Sequence, residues 1–116
     1  MPTGRFVILA ARFNGSITRA LVRGATAPLH RAGVSPRQRQ VVWVPGAFEL
    51  PVVAARGAAS RRRPHAIIAL GVLIRGQTPQ YEVIANAVAQ GLTQVAVTAR
   101  LPVTFGVIVA KTPAQA

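Results

Sequence analysis

The sequence predicts an α/β fold, a three-layer sandwich in which helices cover both faces of one parallel sheet. Two observations carry that expectation. Short apolar, often β-branched runs alternate with stretches of helical periodicity along the 116 residues, and the runs are apolar at nearly every position. Strands of that kind are buried on both faces, as parallel strands are. The length fits one domain over residues 1–116, large enough to bury roughly two thirds of the surface its unfolded chain exposes.

Arg5 to Ala11 (RFVILAA) reads as the first strand. Asn14 or Ser16 can then cap a helix whose apolar residues Ile17, Leu21, Ala25 and Leu29 recur at helical spacing until Gly33. Gln40 to Val44 is the second strand, and Pro45-Gly46 breaks the chain before an alanine-rich helix from Phe48 to about Ser60. Arg61 to Arg63 follow, where cations would offset the helix dipole. The third strand runs from Ala66 to about Leu73, the third helix from about Pro79 to Thr98, and the fourth strand from Pro102 to Val109. Right-handed crossovers then favour the flavodoxin-like strand order 2-1-3-4. Thr112-Pro113-Ala114-Gln115 has the composition of a capped helix start, so a C-terminal helix is expected and apparently missing.

Composition narrows the function. Thirteen arginines and one lysine face only two carboxylates, Glu49 and Glu82, for a formal charge of +12. The arginines are scattered, with one run only, which argues for a solvated basic surface and against nucleic acid as the main partner. A hydrophobic content of 51% is high for a small domain and points to apolar surface covered by other copies of the chain. No apolar run has membrane-spanning length, and the opening MPTGRFVILAARF shows no cleavage pattern, so a cytoplasmic protein is expected. Cysteine is absent and the histidines and glutamates are scattered, so neither disulfide nor metal is expected.

In such sheets ligands bind beyond the carboxyl ends of the strands. The unusual residues fall there: Phe13 and Asn14 after the first strand, Gly46 to Glu49 after the second, Arg75 to Gln80 after the third. Gly76 to Pro79 lead into a helix N-terminus, which favours an anion, and Thr78 could cap that helix. Gly71 to Thr78 has the glycine spacing of a P-loop, but Gln77 stands where the nucleotide-binding lysine belongs. Glu49 and Glu82 each have a simpler reading as first-turn acids. His65 precedes the third strand, roughly 25 Å from the opposite rim, and His30 lies near the far end of the first helix.

The segments ARFNGSITRALVRGA, VPGAFELP, ALGVLIRGQTPQYE, NAVAQGL and PVTFGVIV, in this order and spacing, resemble the 6,7-dimethyl-8-ribityllumazine synthase family from about Gly4 to Ala116. The resemblance implies a transferase of riboflavin biosynthesis that needs no cofactor. It would condense 5-amino-6-ribitylaminouracil with 3,4-dihydroxy-2-butanone 4-phosphate, releasing phosphate and water. It further implies that Phe13 stacks on the pyrimidine and that Ala47, Phe48 and Glu49 hold the ribityl chain and ring. Val72, Leu73 and Ile74 would line the pyrimidine pocket, Gln77 and Thr78 would bind the phosphate, and Phe105 would close the site from a neighbouring subunit. The implied partners are further copies of the chain, in a pentamer or larger shell, and riboflavin synthase.

Two departures stand against this pattern. Gln80 occupies the place of the family's proton-transferring histidine, and an amide neither gives nor takes a proton near neutral pH. The family's arginine-bearing C-terminal helix has no counterpart before Ala116. An enzyme of weakened activity and a non-catalytic relative that binds ligands or serves in assembly therefore both stay open.

Overall fold

The computed structural model describes residues 4–116. Met1 to Thr3, which open the segment read above for a leader, lie outside it. Four strands, β1 (Phe6–Ala11), β2 (Arg39–Val44), β3 (Ala66–Ile74) and β4 (Val103–Ala110), form one sheet in the order β2-β1-β3-β4. Every neighbouring pair is parallel, with Ile8 opposite both Val41 and Ile68, and Ala69 opposite Phe105. Three α-helices connect them: α1 (Gly15–Arg31), α2 (Leu50–Ala58) and α3 (Gln80–Ala99). No helix among the described residues is long and apolar enough to cross a membrane.

Alternation along β1 explains the layering, because successive side chains point to opposite faces. Val7, Leu9 and Ala11 join Ile67 and Ala69 of β3 in a cluster with Leu50 and Ala54 of α2 and Val88 and Leu92 of α3. Ile8 and Ala10 turn to the other face, where α1 packs on β1 and β3. All six residues of β1 except Phe6 are buried, which is why its sequence shows no polar alternation. Each fully buried leucine, such as Leu50, contributes about 1.5–3 kcal/mol relative to an exposed one.

The element boundaries agree with the expected ones to within two residues, but the helix ends differ in chemistry. Asn14, not Ser16, holds the N-cap position of α1, yet its side chain does not cap. It sits in the left-handed region (φ 61°, ψ 45°), and its amide is used elsewhere. The expected helix from Phe48 begins instead as a 3-10 turn, Ala47–Glu49, and becomes α-helical only at Leu50. Glu49 is therefore the first-turn acid of the 3-10 turn, as expected, and also the N-cap residue of α2, where it makes no side-chain cap.

Arg61 to Arg63 also depart from expectation. Helix α2 stops at Ala58, and Arg56 is the basic residue in its last turn. The triple arginine lies beyond, exposed in the connection to β3, so dipole compensation does not account for it. At α3 the N-cap is Pro79, which has no capping group, in place of the expected Thr78. Thr112 does accept from the Gln115 backbone N–H, at 3.3 Å. Gln115 Oε1, however, accepts from Lys111 N at 2.8 Å, one residue before the cap, and the segment forms a single 3-10 turn, Pro113–Gln115.

Two glycines give opposite expectations. A Cβ added to Gly106 in β4 would stand 2.7 Å from Leu70 Cδ2 and 2.8 Å from the Ala69 carbonyl oxygen, and that backbone cannot retreat. Gly106→Ala should cost about 1–3 kcal/mol in urea denaturation. Gly24, inside α1 with nothing within 4 Å of its added Cβ, should instead gain about 0.5–1 kcal/mol on substitution by alanine.

Candidate active site

Parallel strands deliver their outgoing loops to one rim, and here the loops after β1, β2 and β3 enclose a cleft of about 520 Å³. Phe13 and Asn14 come from the β1–α1 turn, Pro45 to Glu49 from the β2–α2 connection, and Val72 to Ile74 from the end of β3. Gly76 and Thr78 extend the wall, and Gln80, Tyr81 and Ile84 close it from the first turns of α3. Nine expected site residues thus meet in one cleft: Phe13, Ala47, Phe48, Glu49, Val72, Leu73, Ile74, Thr78 and Gln80.

The cleft is held open by backbone. Asn14 Nδ2 donates to the Val72 carbonyl at 3.3 Å, tying the first wall to the third. Arg12 N donates to the Val44 carbonyl at 2.8 Å, which continues the β1–β2 ladder into the loops. Arg75 N donates to the Ala110 carbonyl at 2.9 Å and does the same for β3 and β4. Between these fixed points two aromatic rings stand in solvent, Phe13 at 72% exposure and Phe48 at 64%. Large apolar rings left out of a small core offer a surface for a flat ligand ring.

Polar groups sit at the edges. Glu49 folds back over its own turn, so that a Cβ placed on Gly46 would lie 3.3 Å from Glu49 Oε2. A second concavity, of about 380 Å³, shares Thr78 and Tyr81 with the first. Arg75, Gln77, Glu82 and Lys111 complete its lining with Pro79. Gln77 therefore lies beside the ring cleft and not in it. The Tyr81 hydroxyl donates to Glu82 Oε1 at 3.2 Å. Its pKa is raised, first by loss of solvent around the hydroxyl and then by Glu82, with Arg75 opposing, so the phenol stays protonated at neutral pH.

Phe105 joins neither concavity. It stands on β4, 44% exposed, and the subunit whose site it was expected to close would have to be another one. Tyr81 and Ile84 line the cleft without having been expected there. Their spacing carried the information, since Ile84 follows Gln80 by one helical turn and so shares its face. Lys111 matches no motif, and it reaches the site only because β4 runs beside β3 in the sheet. A further concavity of about 760 Å³ between α2 and α3 is lined mostly by small apolar residues such as Pro51, Ala55 and Gly91, with Arg63, Gln94, Thr98 and Arg100 as its polar groups.

Known proteins share this chain's pattern. The sequence model of the 6,7-dimethyl-8-ribityllumazine synthase family matches residues 3–116, essentially the whole chain. The chain belongs to that family. Among curated lumazine synthases, those of two strains of Thermus thermophilus are each 43% identical over 112 residues, covering 97% of this chain and 71% of theirs. The cleft formed by the three loops is thus the natural place to look for the family's chemistry.

Asn14 provides a test of how the cleft is built. Asn14→Ala should lower stability by about 1–2 kcal/mol, since alanine resists the left-handed conformation and cannot reach the Val72 carbonyl. Asn14→Gly should cost less in the same urea titration, because glycine adopts that backbone freely. Equal stability of the alanine variant and the parent would show that neither the conformation nor the hydrogen bond matters.

Proposed function

We propose that the chain condenses 5-amino-6-ribitylaminouracil with 3,4-dihydroxy-2-butanone 4-phosphate to form 6,7-dimethyl-8-ribityllumazine. The observation that carries this reading is the junction of an aromatic, largely apolar cleft with a cationic concavity through Thr78 and Tyr81. A flat pyrimidine suits the first and a small phosphate ester the second. Phe13 stacks on the pyrimidine, Val72, Leu73 and Ile74 line its pocket, and Ala47, Phe48 and Glu49 hold the ribityl chain and ring edge. Gln77 and Thr78 receive the phosphate near the N-terminus of α3, where the helix dipole favours an anion.

Rate enhancement in this chain comes mainly from holding the two substrates together, because Gln80 orients through hydrogen bonds but cannot shuttle a proton. The competing reading, a relative that binds such ligands without turnover, is favoured by that same residue. Exposed valines support assembly with further copies: Val52 on α2, which lines the groove between the helices, is 57% exposed, and Val97 on α3 is 73% exposed. We take a homo-oligomer, a pentamer or a larger shell, in which Phe105 of one subunit covers the cleft of the next. A cytoplasmic location, and riboflavin synthase as the enzyme that receives the product, complete the reading.

Lumazine fluorescence after mixing purified protein with both substrates measures the activity. The parent should turn over slowly, and Gln80→His should raise kcat by about a hundredfold or more, the usual worth of a proton-transferring group. Binding of the pyrimidine without turnover in either protein would establish the non-catalytic alternative. Phe13→Ala should raise KM for the pyrimidine by about tenfold, the value of one aromatic stacking contact. Sedimentation of the parent at the mass of a single chain would overturn the assembly.

A further inference from the structure

A third concavity lies at the opposite rim, by the amino ends of the strands, with a volume of about 540 Å³. Its walls carry Arg5 from the start of β1, Arg37 from the turn before β2, and Arg62, Arg63 and His65 from the connection before β3. Four guanidinium groups from three separate segments converge there without a carboxylate. Both glutamates of the chain are at the far rim, Glu49 at the start of α2 and Glu82 in the first turn of α3. Surface arginines normally stand beside acids or apart from one another, since like charges held together repel.

The cluster is built rather than incidental. Arg5 is fixed in orientation, donating to the Arg62 carbonyl through Nη1 and to Gln40 Oε1 through Nη2 at 2.6 Å. The first of these bonds pins the triple-arginine segment against β1. His65 N donates to the Arg5 carbonyl at 2.7 Å, and Gln38 Nε2 donates to the Gly4 carbonyl at 3.1 Å. The His65 ring lies so close across Gly4 that a Cβ there would be 2.5 Å from Nδ1, which closes the floor. Arg37, Arg62 and Arg63 remain exposed around the mouth.

We propose that this concavity is a binding site for a compact oligophosphate. Guanidinium groups bind phosphate oxygens by paired, charge-assisted hydrogen bonds. Three exposed arginines around one mouth match several linked phosphates better than a single one. No Phe, Tyr or Trp is among the described residues that line the site, and its one ring, His65, is packed across Gly4 at the floor, so recognition falls mainly on the phosphates. The volume holds a short phosphate chain and does not extend into a stripe that would follow a nucleic-acid strand. The site is separate from the lumazine cleft and does not rest on the reading of that cleft.

Calorimetric titration with inorganic tripolyphosphate, ATP and a single-stranded RNA, at matched phosphate concentration, tests the proposal. Tripolyphosphate should bind once per chain and ATP no more tightly, since its base gains nothing. The triple variant Arg37→Gln, Arg62→Gln, Arg63→Gln should lose about ten- to a hundredfold in affinity, as expected when charge-assisted contacts are removed. Removing equal charge at the β1–α1 turn and the first half of α1 with Arg12→Gln, Arg19→Gln, Arg23→Gln should change affinity by less than about threefold, a screened effect of charge outside the cluster. Circular dichroism and lumazine formation should be unaltered in the first triple variant. Equal losses in both triple variants would mean a diffuse field and overturn the site, as would absence of tripolyphosphate binding. Tighter binding of ATP or RNA than of tripolyphosphate would overturn the ligand class.

Discussion

The pairing of β1 with both β2 and β3 in parallel governs this molecule. It buries Ile8 to Ala11 on both faces and leaves only the strand ends for function. Because all strands point the same way, each outgoing loop emerges at one rim and each incoming connection at the other. The aromatic cleft and the arginine cluster are therefore products of a single constraint. Loops from three strands meet at the carboxyl rim, and three incoming segments meet at the amino rim.

The same constraint separates charge along the strand direction. The chain's only two acids stand at the carboxyl rim, each next to a helix start, the end of a helix dipole that favours an acid. The cleft between them has apolar walls, so its polar contacts are few and directional. At the amino rim no acid relieves the arginines. Arg5 shows how such a group is tolerated, because its hydrogen bonds to a carbonyl and an amide oxygen use neutral acceptors in place of a counter-ion.

Much of this was legible in the sequence, for identifiable reasons. The order of strands and helices follows from period and from apolar runs, both of which survive in a single chain. The cleft residues Phe13 and Glu49 follow from their places after strands, a matter of topology, whereas Val72 to Ile74 lie inside β3 and were expected only from the family resemblance. What was not legible depended on hydrogen bonds between distant segments. Asn14 looked like a capping residue, but its amide is drawn to Val72, 58 positions away in sequence. The triple arginine looked like a helix terminus because nothing in its neighbourhood names Arg5 or Arg37 as its company. Thr78 looked like a cap, but the proline after it shifts the helix start by one residue.

Gln80 has a final consequence. It is the first residue of α3, exposed, and its side chain holds no part of the frame: the helix start rests on Pro79, and the cleft walls are joined through Asn14, Arg12 and Arg75. A residue so placed can be exchanged with almost no effect on folding. What the side chain at position 80 does in the cleft can therefore be tested by substitution without disturbing the fold that carries it.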